Sequence, residues 1–343
     1  MSALPFAHGG PPLSGRLRAA PEDFVVDEDL GFAADGTGEH VFVRVEKRGA
    51  NTDFVAKELA RFAGVSAEAV SYAGMKDRHA VTRQTFSLHL PGKADPDWPA
   101  LAHAEFRVID SVRHSRKLKR GALRGNRFVL RLSALTGDRA AADAALAAIA
   151  AAGVPNYFGE QRFGRGGDNL ERARAFFAGQ RLPRHLQGLM ISSARSAIFN
   201  AALARRVEQG SWNRALDGEV WMLEGSHSVF GPEPLSDALQ RRLDEFDIHP
   251  TGPMWGQGEL RSQGAVAAIE HAAAAEFPGF PEGLARAGLR QERRSLRLRP
   301  QELRWEWRGD DSLELAFGLP AGSYATGVVR EVMDWGGSAE KAE

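Results

Sequence analysis

The chain has 343 residues, 43% of them hydrophobic and 26% charged, ordinary values for a globular protein long enough to bury its own core without disulfides or a structural metal. It contains no cysteine, which excludes a thiolate nucleophile, a zinc-finger cluster and an iron–sulfur site. Its 44 basic and 44 acidic residues cancel, so any affinity for nucleic acid must come from where the charges sit rather than from their sum.

The opening MSALPFAHGGPP lacks the basic-then-apolar pattern of a secretory signal, and no stretch approaches the roughly 18 apolar residues that span a bilayer, so a cytoplasmic location is expected. EDFVVDEDL (22–30) and EHVFVRVEKR (39–48) alternate apolar and polar residues and predict strands. A helix capped at Asn51 or Thr52 follows, with Phe54, Val55, Leu59 and Phe62 on one face and Gly64 ending it. Strands are expected again at 82–90, 105–112 and 126–135, and an Ala-rich helix at 138–152. Beyond it the texture changes to a Gly- and aromatic-rich loop (156–169) and helices at about 169–178 and 192–209, the latter capped by Ser192 or Ser193. Gly/Pro-rich segments at 225–234 and 249–258 punctuate the middle. Strand character returns at 295–300, 302–309 and 312–320, and a short helix at about 323–334 closes the chain. Strands at both ends around a helix-rich block predict an α+β protein, its sheet mainly antiparallel, with a second domain inserted.

Common chemical signatures are missing: there is no phosphate-binding loop ending in Lys-Ser/Thr, no HExxH, no EF-hand loop and no GxSxG elbow. The ten histidines show no ligand spacing. What stands out is SYAGMKDRHAVTRQ (71–84), a turn carrying Lys76, Asp77, Arg78 and His79 that runs directly into a strand. An aspartate in such a turn ordinarily shapes the turn. Here flanking cations would also hold it ionised and nucleophilic. From Arg113 to Arg131 lie eight basic residues and no acidic one, among them Lys117, Lys119 and Arg120, either a solvated face or a phosphate-contacting surface. A second, more dilute basic stretch runs from Arg286 to Arg304.

GMKDRHAVTRQ resembles the signature of the TruD family of tRNA pseudouridine synthases. PEDFVVDE (21–28), GALRGNRF (121–128), GVPNYFGEQRFG (153–164), SSARSAIFN (192–200) and LPAGSYATGVVRE (319–331) match further family segments in the family's order. The resemblance spans almost the whole chain, and it implies a great deal. The fold would be a pseudouridine-synthase catalytic domain, α+β with a mixed, mainly antiparallel sheet, from residues 1–151 and 299–343, with an inserted α/β TRUD domain at 152–298. The reaction would isomerise a uridine of tRNA, at position 13 in the D arm, with Asp77 as the nucleophile. It could attack C1′ or C6, or remove a ribose proton.

Phe24, Asn126, Phe128 and Tyr324 would surround the uridine, Phe128 as the ring stacked on the base. Arg18 would be the cationic partner of the aspartate. Tyr324 stands where the family often has Phe, and Arg18 where it commonly has Lys. Lys76, Lys117, Lys119 and Arg120 are the candidates for the RNA backbone. No cofactor or metal is implied, since nothing is added or removed, and a monomer is expected. Two other readings of the residues remain: an RNA-binding protein or RNA chaperone without catalysis, and an aspartate-dependent metal hydrolase, for which the sequence offers no carboxylate cluster.

Overall fold

Alternation of apolar residues through the first third of the chain becomes a sheet. In the computed structural model, which describes residues 4–336, the first elements are β1 (Leu13–Leu17), β2 (Phe24–Asp29), β3 (His40–Arg48), α1 (Thr52–Phe62), β4 (Val70–Tyr72), β5 (Val81–His89), β6 (Phe106–His114) and β7 (Gly125–Gly137). There follow α2 (Arg139–Ala152), β8 (Val154–Pro155), α3 (Asp168–Phe177), α4 (Arg184–Glu208), β9 (Trp221–Leu223), β10 (Val229–Phe230) and α5 (Asp237–Asp244). Then come β11 (Ile248–Met254), α6 (Gly264–Ala275), α7 (Phe280–Arg286), β12 (Glu292–Ser295) and β13 (Arg297–Leu298). The chain ends with β14 (Gln301–Trp307), β15 (Leu313–Pro320), α8 (Ala325–Val329) and β16 (Met333–Asp334).

These elements divide into two units. Among the described residues, a sheet unit comprises 12–139, 300–322 and 333–336, and a helix-rich unit comprises 4–11, 140–299 and 323–332. The block expected as an insertion, 152–298, lies within the helix-rich unit. That unit also takes in α2 and the segment that carries Tyr324.

In the sheet unit the described strands form one ten-stranded sheet whose main path is β14-β15-β7-β2-β5-β3-β6, with β1 against β7 and β16, and β4 against β5. β2–β5 and β1–β16 are parallel and the other pairings antiparallel, so the fold is α+β with a mixed, mainly antiparallel sheet. Val41, Val43 and Val45 of β3 and Phe86 and Leu88 of β5 are fully buried under Val55 and Leu59 of α1. Each such side chain contributes about 1.5–3 kcal/mol on leaving water. Gly125, at the start of β7, admits a close approach of β15: a Cβ there would stand 2.3 Å from the carbonyl oxygen of Leu319.

The helix-rich unit is built around α4, whose Ala194, Ala197, Ile198, Phe199 and Leu203 pack with Phe163, Leu170, Phe280 and Leu284. Three expectations fail here or beside it. α4 begins at Arg184, eight residues before the expected cap, with Pro183 as its N-cap residue and the Pro183 carbonyl accepting from Gln187 N–H at 3.3 Å. Ser193 lies inside the helix, its hydroxyl within hydrogen-bonding distance of the carbonyls of Arg162 at 2.6 Å and Leu189 at 2.9 Å. The Gly/Pro-rich stretch expected to punctuate 249–258 is mostly strand β11. It pairs with β9 through Ile248–Pro250 and with β12 through Thr251–Met254, and the Pro250 carbonyl also accepts from Leu296 N–H at 2.9 Å. The closing helix is also shorter than expected, and Met333–Asp334 return to the sheet beside β1.

Candidate active site

The turn between β4 and β5 carries Asp77, and its side chains diverge. Lys76 donates to Glu28 of β2 at 2.9 Å, in a pair whose side chains are 7% and 1% exposed. Arg78 turns the other way and donates to the carbonyl of Gly49 at 2.8 Å. Neither chain neighbour's cation is bonded to the aspartate, contrary to the expectation from composition, because successive residues of an extended turn point in different directions. Lys76 is likewise not the surface cation expected on an RNA backbone. Its ammonium is committed inside the unit.

The cation that meets Asp77 comes from far away in sequence. Arg18 Nη1 lies 2.7 Å from Asp77 Oδ2, and the guanidinium carbon sits 4.0 Å above the Phe24 ring centroid. The backbone N–H of His79 donates to Oδ1 at 2.9 Å. Both carboxylate oxygens therefore have a donor, one of them charged, which fixes the group's orientation, while a third of the side chain remains exposed. Arg18 adopts a left-handed backbone, φ 64°, at a cost of about 1–2 kcal/mol for a residue with a Cβ.

The expected base-holding residues of the sheet unit share one face of the sheet. Phe24, Val26 and Glu28 of β2 face Leu130, Phe128 and Asn126 of β7 in register. Phe24 and Phe128 meet edge to face at 6.1 Å between centroids, and Phe128 stacks on Phe317 of β15 at 5.6 Å. Both rings are nearly buried, at 4% and 7% exposed. Asn126 Oδ1 is buried and accepts no hydrogen bond from the described residues.

The basic stretch 113–131 spans the end of β6, a loop and the start of β7. Several of its arginines are already engaged: Arg113 with the carbonyl of Lys93 at 2.7 Å, Arg124 with Asp29 at 2.5 Å, and Arg127 with Glu302. Arg116, Lys117 and Lys119 are exposed. Leu118, between the lysines, is buried with Phe42 and Ala73 and anchors the loop. Its carbonyl accepts from the Ser71 hydroxyl at 2.8 Å, and Gly121 N–H donates to the carbonyl of Ala73 at 2.7 Å. Arg120 lies over the Tyr72 ring at 4.0 Å and donates to its hydroxyl at 2.7 Å. The basic loop is thus tied to the strand that leads into the Asp77 turn.

Tyr324 belongs to the helix-rich unit, at the N-cap of α8. Its hydroxyl accepts from Arg162 at 3.1 Å, and Arg162 also donates to Ser192 at 2.9 Å. Two guanidinium groups approach the Phe158 ring, Arg294 at 4.3 Å and Arg162 at 5.3 Å. Burial, first, and the neighbouring Arg162 draw Arg294 down to about 10. The same unit holds a cavity of about 430 Å³ lined by His227, Leu260, Arg261, Gln291 and Arg293, which contains none of the residues expected at the site.

Residues the sequence reading passed over complete the surroundings of Asp77. Lys47, fully buried, donates to the carbonyl of Asp77 at 2.7 Å and stands 3.4 Å from that of Lys76. Thr52, at the start of α1, accepts from Lys76 N–H at 3.0 Å and donates to Gln84 at 3.1 Å. Glu28 holds Lys76 and accepts from Thr85 N–H at 2.9 Å. For Lys47 a signal existed: it continues the inward positions Val41, Val43 and Val45, where a charge is out of place.

Comparison with known proteins places this arrangement in context. The family model described as tRNA pseudouridine synthase D (TruD) matches residues 2–173 and 168–332. The tRNA pseudouridine synthase D of Xanthomonas axonopodis pv. citri is 52% identical over 350 residues, covering 97% of this chain and 95% of the relative. That of Methylococcus capsulatus is 50% identical over 334 residues, covering 97% and 94%. That of Aeromonas hydrophila is 48% identical over 344 residues, covering 100% and 96%. The crystal structure of the protein assigned as tRNA pseudouridine synthase D in Methanosarcina mazei shares the fold, with a TM-score of 0.76 at 24% identity, covering 96% of this chain and 95% of that one.

Proposed function

This chain belongs to the TruD family of tRNA pseudouridine synthases, and from that premise we propose that it isomerises a uridine of tRNA, at position 13 in the D arm, with Asp77 as the nucleophile. The sheet unit is then the catalytic domain and the helix-rich unit the inserted one.

One observation carries the assignment of Asp77: its carboxylate is held by Arg18 at 2.7 Å and by an amide at 2.9 Å, yet keeps a third of its surface open. Pseudouridine formation breaks the bond from ribose C1′ to N1, turns the base and joins C1′ to C5, whose proton leaves while N1 takes one up. Nothing is gained or lost overall, so the reaction asks for no co-substrate. A carboxylate oriented by donors on both oxygens suits attack at C1′ or C6, or removal of a ribose proton. The uridine must leave its stack to be reached. Phe24 and Phe128 would hold its ring. Asn126 Oδ1, buried without a donor, suits an N–H of the uracil edge. Lys117, Lys119 and Arg120 would contact the phosphates.

The test is tritium release from tRNA labelled at uridine C5. Wild type should release tritium and Asp77→Ala should fall to background. No release from any tRNA by the wild type would remove the enzymatic reading and favour a non-catalytic RNA-binding protein. Normal turnover by Asp77→Ala would remove the nucleophile alone.

A further inference from the structure

Asp77 is held in two ways, by its carboxylate and by its backbone. We propose that Lys47 is the positioning residue of the Asp77 turn, its buried ammonium fixing the carbonyls of residues 76 and 77 and so the direction in which the carboxylate is presented. The role rests on the reading of Asp77 as the reacting group.

Lysine is almost never fully buried without a reason. Lys47 has no exposure, and it occupies the last inward position of β3 after three buried valines. Its Nζ donates to the Asp77 carbonyl at 2.7 Å, with the Lys76 carbonyl at 3.4 Å. Both bonds go to backbone carbonyls, so the charge is spent on holding the turn. In register beside it stand Thr82 of β5 and Phe106 of β6, neither of them charged. The charged groups facing it come from the turn: Asp77, whose carboxylate is bridged to Arg18, and Lys76, whose ammonium is bridged to Glu28.

Burial above all, with Lys76 adding to it and Asp77 opposing, draws the Lys47 ammonium down to about 8. Below that pH two carbonyls are held by a cation. Above it they are held by a neutral amine, a weaker donor. The turn should loosen on the alkaline side, and turnover with it.

The experiment measures kcat and KM for tRNA from about pH 6 to about pH 9.5 in wild type, Lys47→Met, Lys47→Arg and Asp77→Asn. Wild-type kcat should fall above a pH of about 8. Lys47→Met should lose about 10- to 100-fold in kcat with KM changed less than about threefold, and show no such limb. Lys47→Arg, charged throughout the range, should recover most of the acid-side kcat and also lose the limb. In wild type the Asp77 carbonyl carbon should shift in NMR as Lys47 titrates, a readout that needs no variant to fold. A wild-type kcat in Lys47→Met, an unaltered limb in Lys47→Arg, or an Asp77 carbonyl indifferent to the titration of Lys47 would each overturn the role. Undiminished turnover in Asp77→Asn would instead overturn the assignment of Asp77, and the positioning role with it. Full loss in Asp77→Asn beside an unaffected Lys47→Met would overturn Lys47 alone.

Discussion

Two arginine-rich stretches look alike in the sequence and have opposite fates. The stretch 113–131 includes a surface loop, with Arg116, Lys117 and Lys119 exposed around one buried leucine. The stretch 286–304 leaves Arg286, Arg290, Arg299 and Arg304 exposed but sends Arg293, Arg294 and Arg297 into the interior of the helix-rich unit. There Arg293 is 5% exposed and paired with Glu270 at 2.6 Å. Arg294 and Arg297 lie over phenylalanine rings, at 4.3 Å from Phe158 and 3.9 Å from Phe246. Charge density is therefore a poor guide to exposure. The aromatic rings and carboxylates that receive Arg293, Arg294 and Arg297 are 23 to 136 positions away in sequence. Guanidinium groups tolerate such burial because their flat faces stack and their edges donate.

If the contrast is right, the largest effect on stability belongs to the interior stretch. Arg293→Met leaves Glu270, 3% exposed, without its cation and with the Ser262 hydroxyl at 2.6 Å still donating to it, and should cost about 3–5 kcal/mol in urea unfolding. A loss below about 1 kcal/mol would mean that Glu270 finds another cation or takes up a proton.

Next comes Lys47, the buried cation of the sheet unit. Its native value is about 8 against an ordinary 10.5, so between these pH values the unfolded chain binds a proton that the folded one does not. Stability should then rise with pH across that window, by at most about 3 kcal/mol relative to Lys47→Met. Parallel curves for the two proteins would show that the amine titrates alike in both states.

Smaller again, Arg297→Lys keeps the charge but gives up the stacked face on Phe246 and the paired bonds to the carbonyls of Leu243 and Ile248. About 1–2 kcal/mol should be lost. The surface stretch should show the reverse pattern. Changing Lys117 and Lys119 together to Gln should leave the unfolding midpoint nearly unmoved while the salt dependence of tRNA binding flattens by about 1.5 in slope. An unchanged slope would return that loop to a merely solvated face.

Much of the sheet unit was legible because period-two alternation is a local signal: β2, β3, β5, β6, β7, β14 and β15 all fall within a few residues of their expected places. The helix-rich unit was less so. β11 hides behind its prolines, and α4 behind serines that resemble caps. At the candidate site, Asp77, Phe24, Asn126, Phe128 and Arg18 were nameable through motifs. The pairing of Arg18 with Asp77 joins residues 59 positions apart, and nothing in the turn's own composition points to it. Lys76 and Arg78 misled for the same reason: adjacency in sequence says little about which way a side chain points.

The Asp77 turn is anchored from three elements at once, by Lys47 of β3, Thr52 of α1 and Arg18 beyond β1. A group held in this way has little conformational freedom left to lose when substrate arrives, so on the proposed reading the rearrangement must be made by the RNA. The energy needed to free a uridine from its stack and its pairing then becomes the quantity that discriminates among sites. Uridines in weakly folded arms should react before those in firm duplexes, and warming or magnesium depletion should widen the set of RNAs modified, with no change in the protein.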